Sequence, residues 1–204
     1  MAVEIKSDLS NKRNQDSFWE TLQRLAAGDR NIIAVTSDSR GSGKLVKFGQ
    51  DFPEQIVEVG IAEQNLVGVA AGLASCDKKV FAVSPACFLT ARSLEQIKND
   101  ICYSNNPVTV VGISAGVSYG ALGSTHHSLH DFATLRAINN IIIVVPADNY
   151  ETENATVLAA ESKIPVYLRF GKKPMPFLTD QKEEFVFGKG RVIMEGEDVA
   201  IIAN

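Results

Sequence analysis

The chain holds little cysteine, no long apolar run and no block of charge of one sign. Its three cysteines, Cys76, Cys87 and Cys102, form an odd set without a CxxC pair or metal-ligand spacing. That excludes a disulfide framework and a zinc site, and predicts a reducing, cytoplasmic compartment. The longest apolar run, Ile141–Val145, stops at Pro146, far short of the roughly 20 residues a membrane-spanning helix needs. The opening segment MAVEIKSDLSNKRNQDSFWE mixes charge throughout and lacks the apolar stretch of a secretory signal. Twenty Lys and Arg against 24 Asp and Glu leave a net charge of -4, a balance that speaks against nucleic acid or anionic lipid as partner.

What is present is an ordinary globular composition, 45% hydrophobic over 204 residues. That length suits one generous domain, or one domain plus part of another. Short Val- and Ile-rich runs recur at Ile32–Val35, Ile56–Val59, Val80–Val83, Val108–Ile113, Ile141–Val145 and Val166–Leu168. Helical patterns fall between them at Asp16–Ala27, Ala62–Ala74, Ser93–Tyr103, His130–Ala137 and Asn149–Ser162, the last opened by Asp148 and Glu151 in capping-box spacing. Strand runs that are continuous rather than alternating predict a parallel α/β sheet flanked by helices on both faces.

Three segments read as irregular loops: Thr36–Phe48, Ser114–Ser128 and the tail Phe170–Glu184. The first two each follow a strand, where α/β proteins bind ligands. At the C-terminus, Arg191–Met194 and Val199–Ala203 read as two strands of a further domain. The expected division is therefore a main domain over residues 1–188 and the start of a truncated one over 189–204.

Several motifs suggest chemistry. Gly112-Ile113-Ser114-Ala115-Gly116 fits the G-x-S-x-G elbow of hydrolases, but a glycine-rich loop follows it instead of a helix, and no histidine lies late in the chain. Arg40-Gly41-Ser42-Gly43-Lys44 resembles a phosphate loop, yet Asp38 stands where a Walker A needs glycine and Leu45 where it needs Ser or Thr. The loop's Ser, Gly and Lys content still suits a phosphate or sugar ligand. His126, His127 and His130 lack the glutamate of a helical zinc motif. On a glycine-rich loop they suit hydrogen bonding to a polar substrate.

Glu63 opens a helix that carries no other charge through Ala74. Two readings stand: a carboxylate that complements the helix dipole, or a buried acid whose proton exchange serves a ligand packed on the small-residue helix. Phe88, with Arg92 four residues on, opens the next βα unit. Residues alone thus give an α/β ligand-binding domain with a candidate site at Glu63, Phe88 and His126.

These segments also carry a resemblance: EVGIAEQN at 58–65, CFLTARSLEQIKND at 87–100, LGSTHH at 122–127 and LRAINNIIIVVPAD at 135–148. In this order they resemble the pyrimidine-binding domain of the transketolase family, in particular the C-terminal subunit of split transketolases. The resemblance runs from about Asn11 to Pro174, and GEDVAIIAN at 196–204 is similar to the entry to that family's C-terminal domain.

The resemblance implies thiamine diphosphate as cofactor, with Glu63 contacting N1′ of its aminopyrimidine, Phe88 stacking on that ring, and Asp38 and Arg92 nearby. It implies sugar-phosphate binding by His126, Ser42, Arg169 and Arg13, with Ser39 in the same loop as Asp38, and catalytic roles for Glu63 and His126. The family's G-D-G and following Asn, which carry Mg2+ and diphosphate, are missing, so a diphosphate-binding partner chain is implied, with a homodimer contact through the pyrimidine domain. Leu122 and Ser124 stand where relatives have Asp and Pro, and Ser114 near where deoxyxylulose phosphate synthases have Arg. The implied function is transfer of a two-carbon ketol unit from a ketose phosphate to an aldose. A 1-deoxyxylulose-5-phosphate synthase-like enzyme and a non-catalytic subunit of the same fold are the alternatives.

Overall fold

The structure, a computed structural model, describes residues 12–178 and 184–202. It contains one six-stranded sheet: β1 Ile32–Thr36, β2 Ile56–Glu58, β3 Lys79–Pro85, β4 Thr109–Ile113, β5 Ile142–Val144 and β6 Val166–Arg169. Every pairing is parallel, in the order β2-β1-β3-β4-β6-β5. The helices are α1 Asn14–Gly28, α2 Val46–Asp51, α3 Glu63–Ala74, α4 Ala86–Arg92, α5 Leu94–Gln96, α6 Asp131–Leu135 and α7 Asn149–Glu161. A π-helical stretch, Ile97–Tyr103, continues α5.

The continuous apolar runs have a physical origin in the two covered faces. Successive strand side chains point to opposite sides. Ile32, Ala34, Phe81, Val83, Val111 and Ile113 join a core with Phe18 and Leu22 of α1 and Ala155 and Ala159 of α7. Ile33, Val35, Val80, Ala82 and Val110 join the other, with Leu66, Val67 and Ala70 of α3, and Ile97 and Ile101. Burying each large apolar side chain contributes roughly 1.5–3 kcal/mol, and both faces draw on this. The sheet and both helical layers are as the sequence predicts.

Four expectations need correction. The segment read as the loop Thr36–Phe48 ends inside α2, because Leu45 and Phe48 are fully buried and pull that turn onto the core. The single helix expected over Ser93–Tyr103 is preceded by α4, which leaves β3 directly from Pro85. Phe88 and Arg92 are therefore helical residues. Arg191–Met194 and residues 199–202 form no strand, and Val192, Met194, Val199 and Ile202 are exposed. A strand needs a hydrogen-bonded neighbour for its N–H and C=O groups, and among the described residues these segments pair with no strand. Ala203, residues 1–11 of the expected main domain and residues 179–183 of the expected tail loop lie outside the described residues.

Because all strands run the same way, their C-terminal ends share one edge. The chain passes from β1 through α2 to β2 on one side, then from β2 through α3 back across to β3 on the other, so the sheet's order reverses at the β1/β3 crevice, the usual ligand site of such folds. Ser37 and Ser84 meet there, hydroxyl to hydroxyl, at 2.9 Å. Arg13 is brought to the same edge by an antiparallel bridge with Pro174, which follows β6.

Candidate active site

Glu63 is the first residue of α3, and Ala62 before it offers no capping side chain. Its carboxylate is only 5% exposed, so it lies among the unsatisfied N–H groups and partial positive charge of the first turn. Arg92, at the end of α4, donates from Nη1 to Oε1 and Oε2 of Glu63 at 3.2 and 3.1 Å. The same guanidinium lies over the Phe88 ring, 4.5 Å from its centroid. Residues Ile61, Ala62, Glu63, Gln64 and Arg92 line an open recess of about 350 Å³.

Phe88 meets His126 edge to face at 5.2 Å, and His126 meets Tyr119 in the same manner at 5.4 Å. Lys172 lies 4.9 Å over the far ring. The result is an aromatic wall of three rings with a cation at each end. His126 is further fixed by Thr125 Oγ1, 3.0 Å from its Nδ1. His127 Nε2 contacts the Gly120 carbonyl and His130 Nε2 contacts Thr90 Oγ1, so these two rings brace the loop. Gly123 permits the turn before Thr125, with φ 72° and ψ -162°, a region open essentially only to glycine.

Arg169 closes β6. Its Nε donates to Asp131 Oδ2 at 2.8 Å, and its guanidinium stacks on Phe132 at 4.3 Å. Arg13 pairs in a fork with Asp16, at 2.7 and 3.0 Å. Burial works against the Asp16 charge, but Arg13 prevails and lowers its pKa. Asp38 is exposed, with φ 48°, and its N–H donates to Glu58 Oε1 at 2.6 Å. Ser42 donates weakly to the Ser39 carbonyl and accepts at its own carbonyl from Gln15. Ser39 turns its hydroxyl back to Ser37.

The structure thus brings Glu63, Arg92, Phe88 and His126 into one contiguous group. Ser42 and Asp38 lie on the loop after β1, where Gln15 of α1 holds the Ser42 carbonyl; Arg13 at the start of α1 pairs with Asp16, and Arg169 stands apart on Asp131. Sequence reasoning missed Tyr119, Asp131 and Tyr167. The last carried a signal, since a phenol inside an apolar strand needs a hydrogen-bond partner.

The chemistry available is that of a buried carboxylate beside an aromatic platform, with a histidine across from it. Neither discounted motif gains support. Ser114 is buried, with φ 53°. Burial raises the Cys87 thiol's pKa, which disfavours its nucleophilic thiolate. Among the described residues no three His, Cys, Asp or Glu side chains gather as a metal site, and no helix is long and apolar enough to cross a membrane.

Comparison with known proteins converges on one family. The model of the transketolase pyrimidine-binding domain matches residues 12–176. An apulose-4-phosphate transketolase subunit of Phocaeicola vulgatus is 50% identical over 188 residues, covering 92% of this chain and 60% of that protein. A putative transketolase C-terminal section of Methanocaldococcus jannaschii is 37% identical, covering 95% and 62%. A solved split-gene transketolase, an inactive beta4 tetramer, superposes with a TM-score of 0.81 at 34% identity, covering 93% of this chain and 61% of that one. The chain spans about 60% of the length of these curated relatives. With a parallel sheet, a buried Glu63 at its C-terminal edge and these matches, the chain belongs to the transketolase family, pyrimidine-binding domain.

Proposed function

We propose that this chain supplies the pyrimidine-binding part of a split transketolase, which moves a two-carbon ketol unit from a ketose phosphate to an aldose. The observation that carries the reading is Glu63, an acid nearly closed to water yet, among the described residues, balanced only by a half-exposed Arg92 lying on Phe88. These residues fit thiamine diphosphate: Glu63 in the recess offers a carboxylate for a ring nitrogen, and Phe88, under the Arg92 guanidinium at its rim, offers an aromatic ring to stack on a flat one. When bound, that cofactor supplies a carbon nucleophile able to cleave a bond next to a ketone.

Glu63 holds or accepts a proton at a carboxylate oxygen, the role a shielded acid at a helix start can perform. Phe88 provides the stacking face and orients His126 through their edge contact. His126 hydrogen-bonds substrate oxygens, and the Thr125 contact restricts its rotation. Arg169, with Arg13, Asp38 and Ser42 along the same edge, receives the sugar phosphate and hydroxyl groups. Mg2+ and the diphosphate are assigned to a separate diphosphate-binding chain, since the sequence lacks that motif. The outer stripe of α3, with Gly68 and Gly72 exposed, is assigned to a contact between two copies. The reduced cysteines suit a cytoplasmic enzyme.

Calorimetric titration of thiamine diphosphate with Mg2+, into this protein alone and mixed with a diphosphate-binding partner, tests the reading. Binding only in the mixture, lost in Glu63→Ala, with ketol transfer in the same sample, supports it. Pyruvate decarboxylation by the mixture in place of ketol transfer would shift the assignment to a synthase. Full activity with Glu63→Ala would make the chain a non-catalytic subunit.

A further inference from the structure

Asp131 opens α6 and is completely buried. Its Oδ2 accepts two hydrogen bonds, from the Tyr167 hydroxyl at 2.9 Å and from Arg169 Nε at 2.8 Å. Its Oδ1 accepts from the N–H of Phe132 at 3.0 Å. A buried carboxylate is costly unless paired and fully hydrogen-bonded, and here both oxygens are used. Burial, reinforced by the Asp131 charge, keeps the Tyr167 phenol protonated, so it remains a donor.

Gly112 makes room for this arrangement. A Cβ there would stand 2.4 Å from the Tyr167 hydroxyl and 2.8 Å from its ring. Any other residue would displace the phenol from Asp131. The glycine that opened the apparent G-x-S-x-G motif is thus explained by packing.

The consequence falls on Arg169. Asp131 takes its Nε, and Phe132, the next residue, supports the flat face of its guanidinium at 4.3 Å. One dipeptide grips edge and face together. A guanidinium has five N–H donors, so the four on Nη1 and Nη2 are left. No group among the described residues accepts from them, although the side chain is only 16% exposed. Nη2 lies against Gly116, 3.5 Å from where a Cβ would be, in the loop that carries His126. Four unaccepted donors in a fixed plane at a strand end are suited to a phosphate.

We propose that Asp131, held by Tyr167, is a positioning residue that orients Arg169 as a fork for the substrate phosphate. This rests on the transketolase reading above and deepens it. Asp131 itself does not touch substrate. It removes the rotational freedom that a lone arginine would lose on binding, and it leaves the Nη edge without an acceptor among the described residues.

The test uses the complete protein assembled with its diphosphate-binding partner, with a ketose phosphate and a ketol donor without phosphate. Asp131→Asn places an amide opposite Arg169 and is expected to raise KM for the ketose phosphate about tenfold or more, leaving kcat and the unphosphorylated donor within about twofold. Inhibition by inorganic phosphate should weaken in parallel. Tyr167→Phe, which keeps the ring against Gly112, is expected to give a smaller rise of about threefold through loss of one hydrogen bond. It carries the test if Asp131→Asn does not fold. Equal loss for both donors would overturn the proposal, as a merely structural role. If Arg169→Ala loses phosphate selectivity but the Asp131 and Tyr167 variants keep it, the proposal falls while the functional reading stands. A wild-type assembly that turns over neither donor would overturn the functional reading itself.

Discussion

Arg92 reaches both carboxylate oxygens of Glu63 with a single nitrogen, spanning from the end of α4 to the start of α3. The two residues differ sharply in environment: the acid is 5% exposed, the base 51%. Solvent screens the pair from the arginine side, so its contribution to stability is small. The acid's enclosure therefore serves chemistry better than folding.

Glu63→Gln should accordingly separate the two. Ketol transfer by the assembled enzyme is expected to fall at least about 100-fold, the usual scale for loss of a proton-transfer group. Unfolding stability should change by no more than about 1 kcal/mol. Steady-state rates and urea melts of the same preparation check both numbers, and a large stability loss with activity retained would contradict the assignment.

Phe88→Ala removes the stacking face and the edge contact to His126 together. Each aromatic pair is worth about 0.5–1.5 kcal/mol beyond its buried area, so affinity for thiamine diphosphate in the assembly should drop by roughly tenfold. Titration calorimetry gives the value directly. Phe88→Tyr, which retains the ring, should bind within about twofold of wild type.

Gly112→Ala tests packing instead of catalysis. The new methyl would meet the Tyr167 ring and hydroxyl at 2.4–2.9 Å, closer than such atoms approach, and the strand that carries Gly112 is buried along its whole length. Overpacking of this kind costs typically about 1–3 kcal/mol. Urea unfolding should show it, and the double variant Gly112→Ala with Tyr167→Phe should recover part of the loss.

The cysteines offer a test of burial and of pH. Cys76 is exposed while Cys87 and Cys102 are buried, so one thiol should react rapidly with an aromatic disulfide reagent in the native protein and three after denaturation. Burial raises the Cys102 thiol from 9.0 to about 11. Below pH 9 both folded and unfolded states keep that proton, and the thiol has no effect on stability. Between pH 9 and about 11 only the unfolded state releases it, so stability falls as pH rises, by up to about 1.4 kcal/mol per pH unit. Cys102→Ala should remove this part of the slope, measured as urea midpoints at pH 8 and 10.5.

Most of the fold was legible because its strongest cause, burial of strands between two helical layers, writes itself as continuous Val and Ile runs. All six strands lie where those runs fall. Helix α4 was less visible, since Ala86 follows Pro85 with no capping residue and no polar break. The apolar segments near residues 191–194 and 199–202 read as strands because a strand's hydrophobicity is local, whereas its hydrogen-bonded neighbour is not. Glu63 stood out as a charge alone in an apolar helix. Asp131 did not, since its partners Tyr167 and Arg169 lie 36 and 38 residues away and nothing at position 131 announces them.

The bridge between Arg13 and Pro174 has an architectural consequence. It brings the two ends of the folded unit side by side, so that almost the whole α/β layer structure lies between neighbouring points. A unit whose ends meet can be spliced into a longer polypeptide, or separated from it, without stretching its core. Modular rearrangement of genes is mechanically easy for such a shape.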